Sequence, residues 1–425
     1  MKPKIYLIAA ILILLSATGY LFWKKDHPES DKSNGSVVEL KFGMLPYGDH
    51  TQAIIGIQKG WFEDVGIKLT PEVIKIENVV PFLASGTVDM CSTPAGLLYP
   101  AYESSPGLGV FVFADIFQGY AIMAQPSLNC RSYEEFVGDG MTSEEAFKAT
   151  VSQLKGKTFA YPSETAIKPF IDLVIEKGGI GRNDFSAVVQ DDAMTINLMR
   201  QKKADFQVGG APSRVVLSKE GFKPILTSLD IAKSAKPSHL SRELGSVFPD
   251  GWACTKVFYD KHQDIVLRVA SVCFRINQLI VENPNEALAI HMPFLTKATG
   301  ERFSIEDGRI IYSSLNPFYT FEQQRSWYSN ENDPFYYRHI NGAGLQSFID
   351  QGVYKNKTPE LDEFILADDV YKELDRLRGL ALMNFELLEK STNDSQLKKE
   401  AFRHFENFNF YDAERLSRKA LQDVK

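Results

Sequence analysis

Three short apolar runs in this chain each stop at a cluster of polar residues that then opens a helical pattern. They are Leu40 to Phe62, Thr158 to Gly178 and Ala187 to Gly210. Where a strand ends and a helix begins, backbone N–H groups lack intrahelical partners and polar side chains gather beside them, which points to a small-molecule cleft. The candidate ligand contacts are Tyr47, Asp49, His50 and Thr51 in the first loop, Glu77 and Asn78 in the second, and Ser92, Thr93 and Pro94 in the third. Further along come Ser163, Glu164 and Thr165, then Gln190, Asp191 and Asp192, then Ser213 and Arg214, with Trp252 as an aromatic that could stack on a flat ligand. Several have a purely structural alternative. Asn78, Ser163 and Asp192 are residue types that cap helices, His50 could be a satisfied loop histidine, and Trp252 could pack the hinge. Arg214 fits either a carboxylate, sulfonate or phosphate held by its planar fork, or an exposed salt bridge.

The charge of these loops bears on the ligand. Asp49, Glu77, Glu164, Asp191 and Asp192 stand against one arginine and one histidine. An unpaired carboxylate facing a buried anion is costly, so the set favours a neutral or cationic, nitrogen-containing organic ligand. Catalysis is not expected, because a G-x-S-x-G elbow, an H-E-x-x-H pair and a P-loop are all missing from the sequence. Nor is a cofactor or a metal, since the 7 histidines show no His/Asp/Glu cluster. Cys91, Cys130, Cys254 and Cys273 show no metal or CxxC spacing and read as small buried hydrophobes, with one disulfide permitted in an exported protein.

The elements that must position these residues follow from composition and periodicity. With 425 residues, 44% of them hydrophobic and 12% aromatic, the chain can bury more than one sizeable core. A net charge of −7 leaves no basic footprint for nucleic acid. Ile5 to Trp23 is an uncharged run of roughly 28 Å as a helix, so residues 1–25 are expected to form a transmembrane anchor or signal segment. Ala17 and Gly19 offer a weak cleavage pattern, but Tyr20 to Trp23 continue the apolar run, which favours an uncleaved anchor. Residues 26–36 are a polar linker. Residues 37–122 are expected to be the first part of lobe one, 123–248 lobe two, 249–367 the return of lobe one with its helices, and 368–425 a C-terminal helical extension. Residues 129–153 read as a surface insertion.

Four stretches, in this order, carry a family resemblance: LKFGMLPYGDHTQAIIGIQKGWFEDVGIKLTPEV, VVPFLASGTVDMCSTPAGLL, LKGKTFAYPSETAIKPFIDLVIEKGGIGRNDF, and ADFQVGGAPSRV followed by DGWACTKVFYDKHQDIV. The chain resembles the nitrate/sulfonate/taurine and thiamine-pyrimidine-precursor group of type 2 periplasmic solute-binding proteins. The resemblance implies an α/β clamshell of two lobes joined by two crossover strands. It also implies a solute-binding protein on the outer face of the cytoplasmic membrane, with an ABC transporter permease and its ATPase as partners. A membrane-anchored sensor using the same clamshell is the alternative.

Overall fold

The computed structural model describes residues 37–162, 167–233, 246–390 and 395–423. The anchor and linker expected at 1–36 fall outside the described residues, as do Ser163, Glu164 and Thr165. Among the described residues no helix is long and apolar enough to cross a membrane.

Ten strands form two five-stranded sheets. β1 (Val38–Met44), β2 (Ile67–Val73), β3 (Met90–Pro94), β4 (Leu108–Phe117) and β10 (Phe248–Thr255) build the first, in the order β2-β1-β3-β10-β4. β5 (Ala121–Ala124), β6 (Thr158–Pro162), β7 (Ser186–Gln190), β8 (Phe206–Gly209) and β9 (Lys223–Thr227) build the second, in the order β7-β6-β8-β5-β9. Parallel pairs such as β1 with β3, and β6 with β7 and β8, require helical crossovers, which the amphipathic segments supply. The helix Ala53–Gln58 buries Ala53, Ile54 and Ile55 and packs on the helices Gln263–Glu282 and Pro284–Thr299, and Lys168–Gly178 buries Phe170, Leu173 and Val174 in the core of lobe two.

The chain passes between the lobes twice, after β4 and before β10, and β4 and β10 are antiparallel neighbours. Phe248 lies opposite Phe117 and Asp250 opposite Asp115. The rings of Phe117 and Phe248 stack with centroids 5.0 Å apart. Gly251 is needed in this pair because a Cβ there would come within 2.0 Å of the Val112 carbonyl oxygen.

Two expectations need correction. Residues 129–153 are not a surface insertion: they form the helices Tyr133–Gly138 and Ser143–Ser152, each opened by a capping box, and Tyr133, Phe147 and Val151 belong to the lobe-two core. Their polarity comes from the outer face and the caps. Trp252 is a packing residue of the lobe-one interior; it is fully buried in β10 with its ring 5.0 Å from Phe42 and 6.3 Å from Phe62. All four cysteines are free, with Cys91, Cys254 and Cys273 buried and Cys130 partly so.

The C-terminal helices Ala367–Glu389, Gln396–Glu406 and Phe410–Gln422 share a small core of their own around Phe385, Leu388 and Leu416. They dock on lobe one through Arg268, whose Nε and Nη2 donate to Asp412 at 2.8 and 3.0 Å, and through Phe410 against Phe321 at 5.3 Å. Burial alone would raise the Asp412 pKa, but the hydrogen bonds and charge of Arg268 outweigh it and hold this carboxyl well below the usual range.

Two outcomes are expected. Asp412→Ala should cost roughly 3 kcal/mol in a denaturant titration, because it leaves a largely buried guanidinium without its main partner. A carboxylate with a depressed folded pKa contributes its stability above the ordinary carboxylate range and loses it as pH falls toward the folded value, so Asp412→Asn should flatten that acid limb. Trp252→Ala should lower stability by about 3–5 kcal/mol through the cavity it opens in the lobe-one core, measured by the same titration.

Candidate functional site

The loop after β1 is fixed before any ligand arrives. Gly48 packs so closely on the helical turn Ile311–Leu315 that a Cβ would approach Ile311 to 2.8 Å. Thr51 Oγ1 donates to the Tyr47 carbonyl at 2.8 Å and lies 2.6 Å from His291 Nε2, while His291 Nδ1 lies 2.8 Å from the Tyr312 hydroxyl. Burial pushes His291 down to about 3, so this relay is neutral and structural. Thr51 is therefore a positioning residue on the helix side of the loop.

What the loop holds out is acidic. Asp49 is buried, with Oδ2 accepting from Asn316 Nδ2 at 2.9 Å and Oδ1 without a hydrogen-bond partner among the described residues. His50 is also buried; its Nε2 is 3.8 Å from Asp49 Oδ2 and 3.8 Å from Asp250 Oδ2. Burial lowers the His50 pKa more than the Asp49 charge raises it, which keeps the ring neutral. Asp115 adds a third carboxyl, pushed well above the ordinary carboxylate range by burial first and the Asp49 charge second, with Asn316 opposing. Asp115 holds its proton, and Asp49 is left in a low-dielectric pocket beside Asp250.

Asp49, His50 and Asp250 open onto a cavity between the lobes, with about 380 Å³ of empty space counted to its solvent-open mouth. Its other walls are aromatic or small: Tyr47, Phe117, Tyr120 and Phe248, with Gly210 and Ala211 from lobe two. The Phe117 and Tyr120 rings stand edge to face at 4.6 Å, so the aromatic side is itself well packed.

Of the residues singled out in the sequence, Tyr47, Asp49, His50 and Pro94 line this cavity. The others do not. Ser92 and Thr93 are buried within sheet one, with Ser92 Oγ near Gly43 O and Leu45 N and Thr93 Oγ1 donating to the Pro94 carbonyl. Asn78 stands at the start of the helix Val79–Ser85 without a side-chain capping bond. Asp191 caps the helix Asp192–Arg200, accepting from Met194 N at 2.8 Å. Ser213 donates to Asp192 at 2.9 Å, and Asp192 is raised to about 6 chiefly by burial, with Ser213 opposing and Asp191 adding to the rise. Arg214 lies one turn inside the helix Ala211–Lys219, and its Nη1 is buried without a hydrogen-bond partner among the described residues. Of the four described carboxylates behind the charge argument, Asp49, Glu77, Asp191 and Asp192, only Asp49 is a wall of the cavity.

Asp115, Asp250, Asn316 and the hinge aromatics were missed. Asp250 stands two residues from Trp252 in PDGW, and the larger aromatic drew the assignment. Two strand residues are roughly 6.6 Å, enough to separate the cleft edge from the lobe interior. The expected lack of a His/carboxylate cluster is also corrected, because donor atoms of Asp49, His50 and Asp250 lie within 4.8 Å of one another, close enough to hold a metal ion. Asp250 is some 200 residues away in sequence, and spacing rules see only local clusters.

The periplasmic aliphatic sulphonate binding protein SsuA from Escherichia coli is similar over 79% of this chain and 99% of its own, at 12% identity and a TM-score of 0.56. A ligand-binding component of an ABC-type import system from Staphylococcus aureus, with zinc bound, covers 79% of this chain and 98% of its own, at 12% identity and a TM-score of 0.55. The desulfurization enzyme DSZB covers 80% and 99%, at 10% identity and a TM-score of 0.51. At such identities the likeness speaks for a fold of two α/β lobes and leaves the ligand open. No curated protein matches the sequence. The family model described as NMT1-like matches residues 33–291, in line with the resemblance carried by the four sequence stretches. That match spans more than half of the chain, which belongs to the NMT1-like family.

Proposed function

We propose that this protein is an extracytoplasmic solute-binding protein that captures a small nitrogen-containing organic cation between its lobes and delivers it to an ABC importer. Residues 1–25 would hold it at the outer face of the cytoplasmic membrane. The observation that carries the reading is the joint lining of one interlobe cavity by the carboxylates of Asp49 and Asp250 and by four aromatic rings. Carboxylates lining a low-dielectric pocket suit a positively charged solute, and aromatic faces attract an organic cation through their quadrupoles. A sulfonate would meet the same carboxylates as repulsion. The fold serves capture, since a solute held at a crossing of two strands can be enclosed from both sides.

A divalent metal ion as the captured solute is the second reading, favoured by the approach of His50 Nε2 to both carboxylates at 3.8 Å. The aromatic walls weigh against it, because a metal ion with open positions keeps water or oxygen ligands there.

Calorimetry of the full-length protein with butylammonium, butanesulfonate and zinc chloride separates these readings. Butylammonium should bind, and Asp49→Asn should weaken it by about 1.5–3 kcal/mol, the worth of a hydrogen bond to a charged group. Binding of butanesulfonate but not butylammonium would overturn the cationic reading, and binding of zinc alone would put the metal in its place.

His50 supplies a pH test. A buried base with a depressed folded pKa takes its proton later than in the unfolded chain, so stability should fall as pH drops below about 6.5, the ordinary histidine value. His50→Gln should make that slope shallower without removing it, since His291, also depressed by burial, keeps its share, and the His50 imidazole should remain neutral at pH 7 in nitrogen-15 NMR.

A further inference from the structure

A second cavity adjoins the first. It holds about 680 Å³ of empty space counted to its open mouth, and its apolar walls include Tyr99, Phe170, Leu173, Phe248, Ile340 and Phe348. Pro94 and Phe248 are walls of both cavities. They also tie this chamber to the acidic group: Pro94 is the β-sheet partner of Asp250, and Phe248 precedes Asp250 by two residues on the same strand. The chamber therefore begins at residues that neighbour Asp250 in sheet one.

The polar residues on its walls are engaged within the protein. Asn341 Nδ2 donates to the Tyr337 carbonyl at 3.0 Å, Ser246 Oγ donates to the Ser228 carbonyl at 3.1 Å, and Ser347 Oγ accepts from Gln351 Nε2 at 3.3 Å. What the chamber presents to an occupant is thus chiefly hydrocarbon and aromatic surface. Phe170 and Leu173 come from the lobe-two helix Lys168–Gly178, whereas Tyr99, Ile340 and Phe348 come from the other side of the crossing. An apolar group seated here touches both lobes, so its burial favours the closed arrangement.

We infer that the solute is an amphiphilic organic cation, whose charged nitrogen sits on Asp49 and Asp250 while an alkyl or aryl arm fills the Tyr99–Phe348 chamber. The inference rests on the cationic reading of the site and adds the arm. Affinity then grows with the apolar length of the ligand, and the increment belongs to the chamber, not to the carboxylates.

The test uses the full chain in detergent, with micelle-only titrations subtracted, and the probes methylammonium, butylammonium and 4-phenylbutylammonium beside butanesulfonate and 4-phenylbutanesulfonate. The ammonium series should tighten at least tenfold from methyl to butyl and again on adding the phenyl group, since each buried methylene is worth roughly a threefold to fourfold gain. Gly96 borders the chamber and a Cβ there would meet no heavy atom within 4 Å, so Gly96→Leu has room to start its side chain and takes up space in the chamber. It should abolish the gain with length while leaving butylammonium binding no weaker than methylammonium binding. Leu173→Gln, on the opposite lobe, should reduce the same gain. Equal affinity along the ammonium series, or a gain that survives both variants, would overturn the inference while the cationic site stands. A gain with length seen only among the sulfonates would remove the cationic reading and the amphiphilic cation with it. Failure of every probe to bind would overturn both.

Discussion

The arrangement depends on one pair of strands. β4 and β10 run antiparallel where the chain passes between lobes, and their pairing sets Phe117 against Phe248 and Asp115 against Asp250. The aromatic pair is hydrophobic enough to hold the crossing together, with rings stacked at 5.0 Å. Asp115 is what that crossing costs, because a carboxyl buried there beside Asp49 cannot ionise easily. Asp115 yields by keeping its proton, its pKa raised by burial and by the Asp49 charge.

Around this crossing the structure is rigid where it must present charge. The Asp49–His50 loop is held by the neutral Thr51–His291–Tyr312 relay, and the segment that carries Tyr312 continues into Asn316, which donates to Asp49. One Asp49 oxygen is satisfied and the other has no hydrogen-bond partner among the described residues, an unstable balance in an apolar setting. That oxygen is open to a hydrogen-bond donor entering from the cleft. The C-terminal helices take no part in this. They dock on lobe one through Arg268 and Asp412 and have a small core of their own.

Much of the scaffold was legible in the chain. The strand–loop–helix repeats around Leu40, Thr158 and Ala187 are local patterns, and they correspond to β1, β6 and β7 with the helices that follow. The loop Tyr47–His50 could be picked out because a strand end followed by polar residues and a helix is a ligand-facing device in any open α/β sheet. Segments read by composition did worse. Residues 129–153 look solvated because their capping boxes and outer faces are charged, yet Phe147 and Val151 complete a core. Trp252 looks like a stacking residue beside a crossing, yet it lies deeper in the strand than Asp250 and serves the lobe interior.

The sequence by itself determined the two α/β sheets, the helical tail and the acidic first loop, since each follows from periodicity and residue type within a few tens of residues. Only the tertiary structure decided which acids meet. Asp49, Asp115 and Asp250 are joined by strand pairing and loop packing across more than a hundred residues of chain, and no local spacing encodes that. The apolar chamber beside them was likewise out of reach, because Tyr99, Phe170 and Phe348 are ordinary core residues in sequence and become the wall of one cavity only when two lobes face each other.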